Sequence, residues 1–320
     1  MSDQVRYRLA KRTQGSPEVP PQLPNTSEYT YVASALDIAL SLLSTDQAKN
    51  AMVELVKLFD HNLSEFPRIF QGATDAVVKS HINAFVEILQ QQTPLIVLDG
   101  ELTDPRIPAY HPRGIWDGNF DVQLQAICLN QKLVESMVSS SSSQREFRRY
   151  QFLFAHLLFH EIGGHLLITY LYNGRPVTPR GVIAPNWNSQ EQEEHGAQAG
   201  ESGRFLESML FGGTLEFFDS PQVSSPWIVN DIGSAKAVTT AAIDATVVNR
   251  QFDLPYPTQN PEVDVTSLLS THRRLEVSWP AESLNRQFIL RAIAQPRRFF
   301  ISRSNLRLVP NNSTILAQAT

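Results

Sequence analysis

The chain is poor in cysteine and in charge. Cys128 is the single cysteine among 320 residues, so no disulfide can close within the chain and a secreted disulfide framework is excluded. Charged residues make up 18%, below the ~25% of an ordinary soluble domain. No basic tract is present, the net charge is −5 and the pI is about 5.9, so no nucleic-acid partner is expected. The opening stretch MSDQVRYRLAKRTQGSPEVPPQLP lacks the apolar region of a secretory signal, and no internal repeat is visible. A cytoplasmic protein is the expectation.

What the chain has is apolar material. Hydrophobic residues reach 42%, enough for a large core. Pro17, Pro20, Pro21 and Pro24 mark residues 1–25 as a flexible N-terminal extension. Residues 26–309 read as a single domain and 310–320 as a tail.

Val32, Leu36, Ala39, Leu40 and Leu43 recur at helical spacing, and Ser44-Thr45-Asp46 caps a second helix through Ala51, Val53, Leu55 and Leu58. A third helix is expected over 73–91. Leu95-Ile96-Val97-Leu98 followed by Asp99-Gly100 reads as a strand and turn, and 101–118 as a loop. Residues 120–130 read as a strand, 131–138 as a short helix, and the serine run Ser139 to Ser143 as a flexible surface loop. A long helix begins near Gln144. A turn-rich stretch over 173–188 precedes a helix over 190–211, opened by a Ser189/Gln192 capping box and stopped at Gly212-Gly213. Helices are expected over 236–248 and 282–294, and a helix or strand over 263–269. The fold class is mainly α (α+β).

The long helix carries His160-Glu161-Ile162-Gly163-Gly164-His165. Two imidazoles and a carboxylate in an apolar segment are costly to bury unless a divalent metal binds them. The common metallopeptidase motif H-E-x-x-H sets its histidines at i and i+4. Here they stand at i and i+5, about 500° apart around an ideal helix, so the rings diverge by roughly 140°. They share one metal only if the helix absorbs an extra residue as a π-bulge. Gly163-Gly164 tolerates that distortion best. The stretch from Tyr150 to Tyr172 is long enough to span a bilayer, but His156, His160, Glu161 and His165 would be expensive there. A buried core helix is expected, with no membrane partner.

An open catalytic zinc site needs a third protein ligand. Glu194 and Glu201 fall on one stripe of the 190–211 helix together with Gln198 and Phe205. Gly200 and Gly203 flank Glu201 and would allow close approach to the motif helix, which favours Glu201 over Glu194. Glu161, beside His160, is the candidate general base for a metal-activated water. His156 reads as a hydrogen-bonded core residue or an outer partner of a ligand. His195 reads as a polar helix residue with a lesser chance of touching the metal, and His61, His81 and His111 as surface or local contacts. Tyr170, Tyr256, His272 and Arg273 are candidates to stabilise an oxyanion.

The motif resembles H-E-x-x-G-H, the zinc signature of the dipeptidyl peptidase III family. The resemblance implies His160 and His165 as zinc ligands and Glu161 as catalytic glutamate. That family's third ligand lies in an E-E-x-x-A-[ED] motif. Glu193-Glu194-His195-Gly196-Ala197-Gln198 is similar but ends in glutamine. A looser resemblance is to fungal metallopeptidase-like proteins. Their G-E-x-G-x-x-x-E…F-G-G pattern is similar to Gly200 through Glu207 and Phe211-Gly212-Gly213. It implies Glu201 as ligand and Glu207 as a residue supporting the ligands. A zincin-like core also implies an edge strand beside the cleft, for which Val122 to Leu129 is the candidate. The expected function is a zinc-dependent hydrolase acting on peptides. The alternative is a metal-dependent enzyme for a small molecule, a lyase, cyclase or Fe2+ oxygenase. In a third reading the metal only supports the fold.

Overall fold

The computed structural model describes residues 4–16, 18–103, 107–113, 119–173, 178–183, 200–219, 226–230, 232–265, 267–268, 273–274 and 299–302. Three helices follow the first strand: α1 (Ser27–Leu43), α2 (Asp46–Asn62) and α3 (Asp75–Gln91). The Thr26 and Thr45 hydroxyls accept from the Tyr29 and Ala48 amides, so each of the first two begins at a side-chain cap.

A five-stranded sheet runs in the order β11-β1-β2-β4-β3, with β1 at Gln4–Arg12, β2 at Leu95–Asp99, β3 at Ala109–Tyr110, β4 at Ala126–Asn130 and β11 at Phe299–Ser302. β1, β2 and β4 are parallel to one another, and β3 and β11 are antiparallel to their neighbours. Every residue of β2 and β4 is buried, because both faces of the sheet are covered. Leu9, Ile96, Leu98, Ile127 and Leu129 join the main helical core. The alternate residues Ala10, Leu95, Val97, Tyr110, Ala126 and Cys128 form a smaller cluster with Val19 on the other face.

The segment 1–25, read from its prolines as a flexible extension, therefore supplies a strand. The chain then folds back along it: Gln22 N donates to Leu9 O, and Ala10 bridges Pro21. Val122–Leu124 is a short 3-10 turn and β4 starts only at Ala126. β4 is paired on both sides, so the expected edge strand over Val122 to Leu129 is an interior one. β3, inside the stretch read as a loop, stands at the edge. The serine run forms a 3-10 turn at Ser140–Ser142.

α4 (Gln131–Ser139) leads into α5 (Gln144–Phe159), a π-helical segment (His160–Leu166) and α6 (Leu167–Tyr172), ended by Asn173 in the left-handed region at φ 57°. The 29 residues Gln144–Tyr172 are long and apolar enough to cross a membrane, and their most apolar window is entirely packed inside the protein. α1 lies along α5. Next comes α7 (Ser202–Phe211), closed by Gly212 at φ 74°. A four-stranded antiparallel sheet follows, with β5 (Thr214–Glu216), β7 (Trp227–Val229), β8 (Ser234–Ala237) and β9 (Val263–Asp264) side by side. A separate two-stranded pair joins β6 (Phe218–Asp219) and β10 (Arg273–Arg274). The helix expected over 236–248 is α8 (Thr240–Asp244), continued by a π-helical turn to Asn249 and preceded by β8. Residues 184–199, with Glu194, His195 and the first ten residues of the helix expected over 190–211, lie outside the described residues, as do His272, the helix expected over 282–294 and the tail.

Candidate metal centre

The extra residue in the motif is absorbed as a π-helical turn over His160–Leu166, as the spacing predicts. Both imidazoles consequently face the same side, with ring centroids 5.3 Å apart. α7 crosses this turn closely. A Cβ on Gly164 would stand 2.4 Å from Gly203 Cα, and one on Gly203 would stand 2.3 Å from His160 Nε2. Only paired glycines permit this approach.

Glu201 reaches the site differently from the expected helical stripe. It is the N-cap of α7, extended at φ −134°, and its carboxylate accepts from Gly203 N and Arg204 N. The preceding backbone is pinned from the other side. Gly200 N donates to Thr178 O and Glu201 N to Val182 O. The carboxylate lies 2.7 Å from His165 Nε2 and 3.5 Å from His160 Nε2. One ligand atom from each of His160, His165 and Glu201 falls within 4.8 Å of the others, and all three residues are buried.

The remaining nitrogens fix the rings. His160 Nδ1 donates to Glu207 Oε1 at 2.7 Å, while Glu207 Oε2 accepts from Leu215 N at 3.1 Å. Glu207 thereby ties the ring to β5. Among the described residues the buried His160 Nε2 has no hydrogen-bond partner, its nearest polar neighbour being Glu201 Oε2 at 3.5 Å. In neutral His160 that nitrogen presents a lone pair towards the carboxylate of Glu201, an arrangement that is favourable only with a cation between them. Burial alone would lower the His160 pKa, but Glu201 and Glu207 outweigh it and raise it well above the usual value. Burial would likewise raise Glu201, and the two histidines outweigh it and hold its carboxyl well below the carboxylate range. A proton and a divalent ion are thus alternatives at one spot. Replacing Glu207 with Gln, which removes the anionic partner of His160 Nδ1, is expected to weaken zinc affinity by about 10–100-fold, measured by competition with a chromogenic chelator. Unchanged affinity would deny Glu207 this role.

Glu161 is buried beside the cluster, and its Oε2 has no hydrogen-bond partner among the described residues. Burial pushes its pKa up, against the pull of His165 and His160. A carboxylate held nearer neutral pH suits proton transfer.

His156 is a core residue apart from the cluster. Its Nδ1 donates to Phe152 O at 2.7 Å, its Nε2 accepts from Tyr256 OH at 3.0 Å, and burial lowers its pKa to about 4. That bond commits the Tyr256 hydroxyl inside the core rather than at the cluster. Tyr170 stacks on Phe85 with centroids 5.3 Å apart and packs edge-on to Phe120. Arg273 stands opposite Asp219 in the backbone register of β10 and β6. His61 is exposed, and His81 is an exposed ring set edge-on to Phe70. His111, read as a surface or local contact, is buried just after the edge strand. It bonds Ala126 O through Nδ1 at 2.8 Å and Thr169 Oγ1 through Nε2 at 3.1 Å, and burial lowers its pKa to about 3. It joins the edge of the sheet to the motif helix.

Sequence reasoning missed Arg113. Its Nη2 lies 2.6 Å from His165 Nδ1 and 2.7 Å from Thr178 Oγ1. It sits in a stretch rich in Pro, Gly and Asp with no periodicity to mark it. No family model, no curated protein and no solved structure matches this chain.

Proposed function

We propose that this chain is a metal-dependent hydrolase of metallopeptidase type, with His160, His165 and Glu201 holding a zinc ion and Glu161 as general base. The observation that carries the reading is the buried, unbonded His160 Nε2 facing the carboxylate of Glu201. The donor set of two imidazoles and one carboxylate is that of open zinc sites. When bound, such an ion lowers the pKa of water towards ~7 and polarises a carbonyl. Glu161 takes up the proton at its unpaired Oε2 and hands it to the leaving amine. Glu207 keeps His160 Nε2 directed at the cluster. β3 lies at the edge of the sheet next to His111 and Arg113, so an extended peptide could pair there. The resemblance of the motif to H-E-x-x-G-H supports the same reading.

The same donor set also serves Fe2+ in oxygenases, which gives a second reading: an iron enzyme for a small molecule. Metal analysis separates the two. Purified protein is expected to carry about one zinc per chain by mass spectrometry, and the His165→Ala variant none. Stoichiometric iron with oxygen-dependent turnover would replace the zinc reading. Absence of any metal after reconstitution would end both.

A further inference from the structure

We infer that Arg113 is the resident cation of this site and competes with the metal for it, so that metal uptake is a cation exchange whose affinity Arg113 sets; the inference rests on the metal reading above. Burial lowers the Arg113 pKa to about 10, and the carboxylates of Glu201 and Glu161 favour its charged form. Its Nη2 donates to His165 Nδ1 at 2.6 Å and to Thr178 Oγ1 at 2.7 Å. A guanidinium carries only donors, so His165 Nδ1 is the acceptor and bears no hydrogen in this arrangement. The ring hydrogen is then on Nε2, where Glu201 Oε1 receives it at 2.7 Å. Arg113, His165 and Glu201 form one chain from donor to acceptor, with a cation at one end and a carboxylate at the other to fix its direction.

A metal requires the opposite order. Coordination through Nε2 puts the hydrogen of the neutral imidazole on Nδ1. There it meets a guanidinium N–H, donor against donor, across a contact of 2.6 Å. The charges are opposed as well, because a dication arrives among carboxylates that Arg113 already neutralises in part. Loading therefore has to break the contact between Arg113 and His165. Ser202 makes the exchange feasible. It is fully buried, and its Oγ lies 3.1 Å from His165 Nδ1 and 3.4 Å from Arg113 Nη2. A hydroxyl donates or accepts as required, so it can donate to Nδ1 in the empty site and accept from Nδ1–H in the loaded one. Ser202 suits both states of His165, and Arg113 suits only the empty one. The bond to Thr178 Oγ1 does not depend on the tautomer and gives the guanidinium a partner in either state.

The two residues should therefore have opposite effects on metal affinity. Zinc affinity of the full chain is measured by competition with a chromogenic chelator. Arg113→Met is expected to tighten binding by at least about tenfold, the scale of one charge-assisted hydrogen bond, and Arg113→Lys, which keeps the charge, to stay closer to wild type. Ser202→Ala is expected to weaken binding by about 10–100-fold, as loss of a ligand's outer partner does. Damage to the fold would weaken binding in every variant, so a gain in Arg113→Met has no such origin. Nitrogen NMR of the imidazole rings reads the tautomer in the wild type itself. The His165 hydrogen should sit on Nε2 in the metal-free protein and on Nδ1 in the zinc-loaded one. Unchanged or weaker affinity in Arg113→Met, unchanged or tighter affinity in Ser202→Ala, or a hydrogen on Nδ1 of the metal-free protein overturns the exchange while the metal reading stands. Failure of both wild type and Arg113→Met to bind zinc overturns the metal reading, and the exchange with it.

Discussion

Replacing Glu161 with Gln is expected to lower turnover by roughly 10²–10⁴-fold while about one metal ion per chain remains bound. The substitution keeps size and burial and removes only the ability to take a proton. Glu161 is outside the triad of ligand atoms, so the ion should stay. Its environment makes the acid–base role specific. Its Oε2 is buried with no hydrogen-bond partner among the described residues, and burial raises its pKa. A carboxylate that served only to balance the charge of its neighbours would be hydrogen-bonded like Glu207, which spends both oxygens on His160 and Leu215. The measurement is cleavage of a peptide library by the zinc-loaded wild type and variant, with metal content determined on the same samples. Activity in the variant within a factor of two or three of wild type would remove Glu161 from the mechanism. Loss of metal together with activity would make it a ligand rather than a base.

How far the sequence foretold the site depended on whether a residue sat in a periodic context. The π-helical turn at His160–Leu166 was legible because spacing alone sets the problem: histidines five apart converge only with an extra residue in the turn. Glu201 was reached from its flanking glycines, yet for a partly mistaken reason. A helical stripe through Glu194 and Glu201 was expected, whereas Glu201 is extended and caps α7. A capping carboxylate and a helical one look the same in sequence when the start of the helix is in doubt. The edge strand was misplaced because Ala126–Asn130 alternates and is fully buried, and nothing in it reveals that the two residues of β3 pair along its far side. Strands of two to four residues also hid the β5-β7-β8-β9 sheet, since a period of two needs more residues to register. β1 was hidden by the prolines that follow it: Pro17, Pro20, Pro21 and Pro24 make the whole opening stretch look unstructured, while Pro20 and Pro21 in fact fold back along Gln4–Arg12. Arg113 and His111 were illegible, because their roles come from the partners that the edge of the sheet brings to them.

Substituting Ala for the glycines of the helix crossing is expected to give a graded series that runs against helix propensity. In a solvated helix each Gly→Ala change would stabilise by about 0.5–1 kcal/mol. At Gly163 the new methyl would stand 2.8 Å from Leu206 Cδ2 and Leu43 Cδ2. Those are ends of flexible side chains, and the cost should be about 1–3 kcal/mol, typical of an overpacked core. At Gly164 the obstacle is backbone, with Gly203 Cα at 2.4 Å and Gly203 N at 2.7 Å. Backbone cannot rotate away, so α7 must move off the π-helical turn and carry Glu201 with it. Gly164→Ala should therefore cost more than Gly163→Ala and weaken zinc binding as well. At Gly203 the methyl would meet His160 Nε2 at 2.3 Å, the atom assigned to the metal. Gly203→Ala should lose the ion outright, even where the fold survives by turning the ring aside. Urea unfolding of the metal-free proteins gives the stability order, and zinc content of the reconstituted proteins separates the last two variants from the first. If Gly164→Ala proved stabilising, as propensity alone would have it, α7 and the motif would not cross at these residues. The approach that brings Glu201 to both histidines would then be wrong as well.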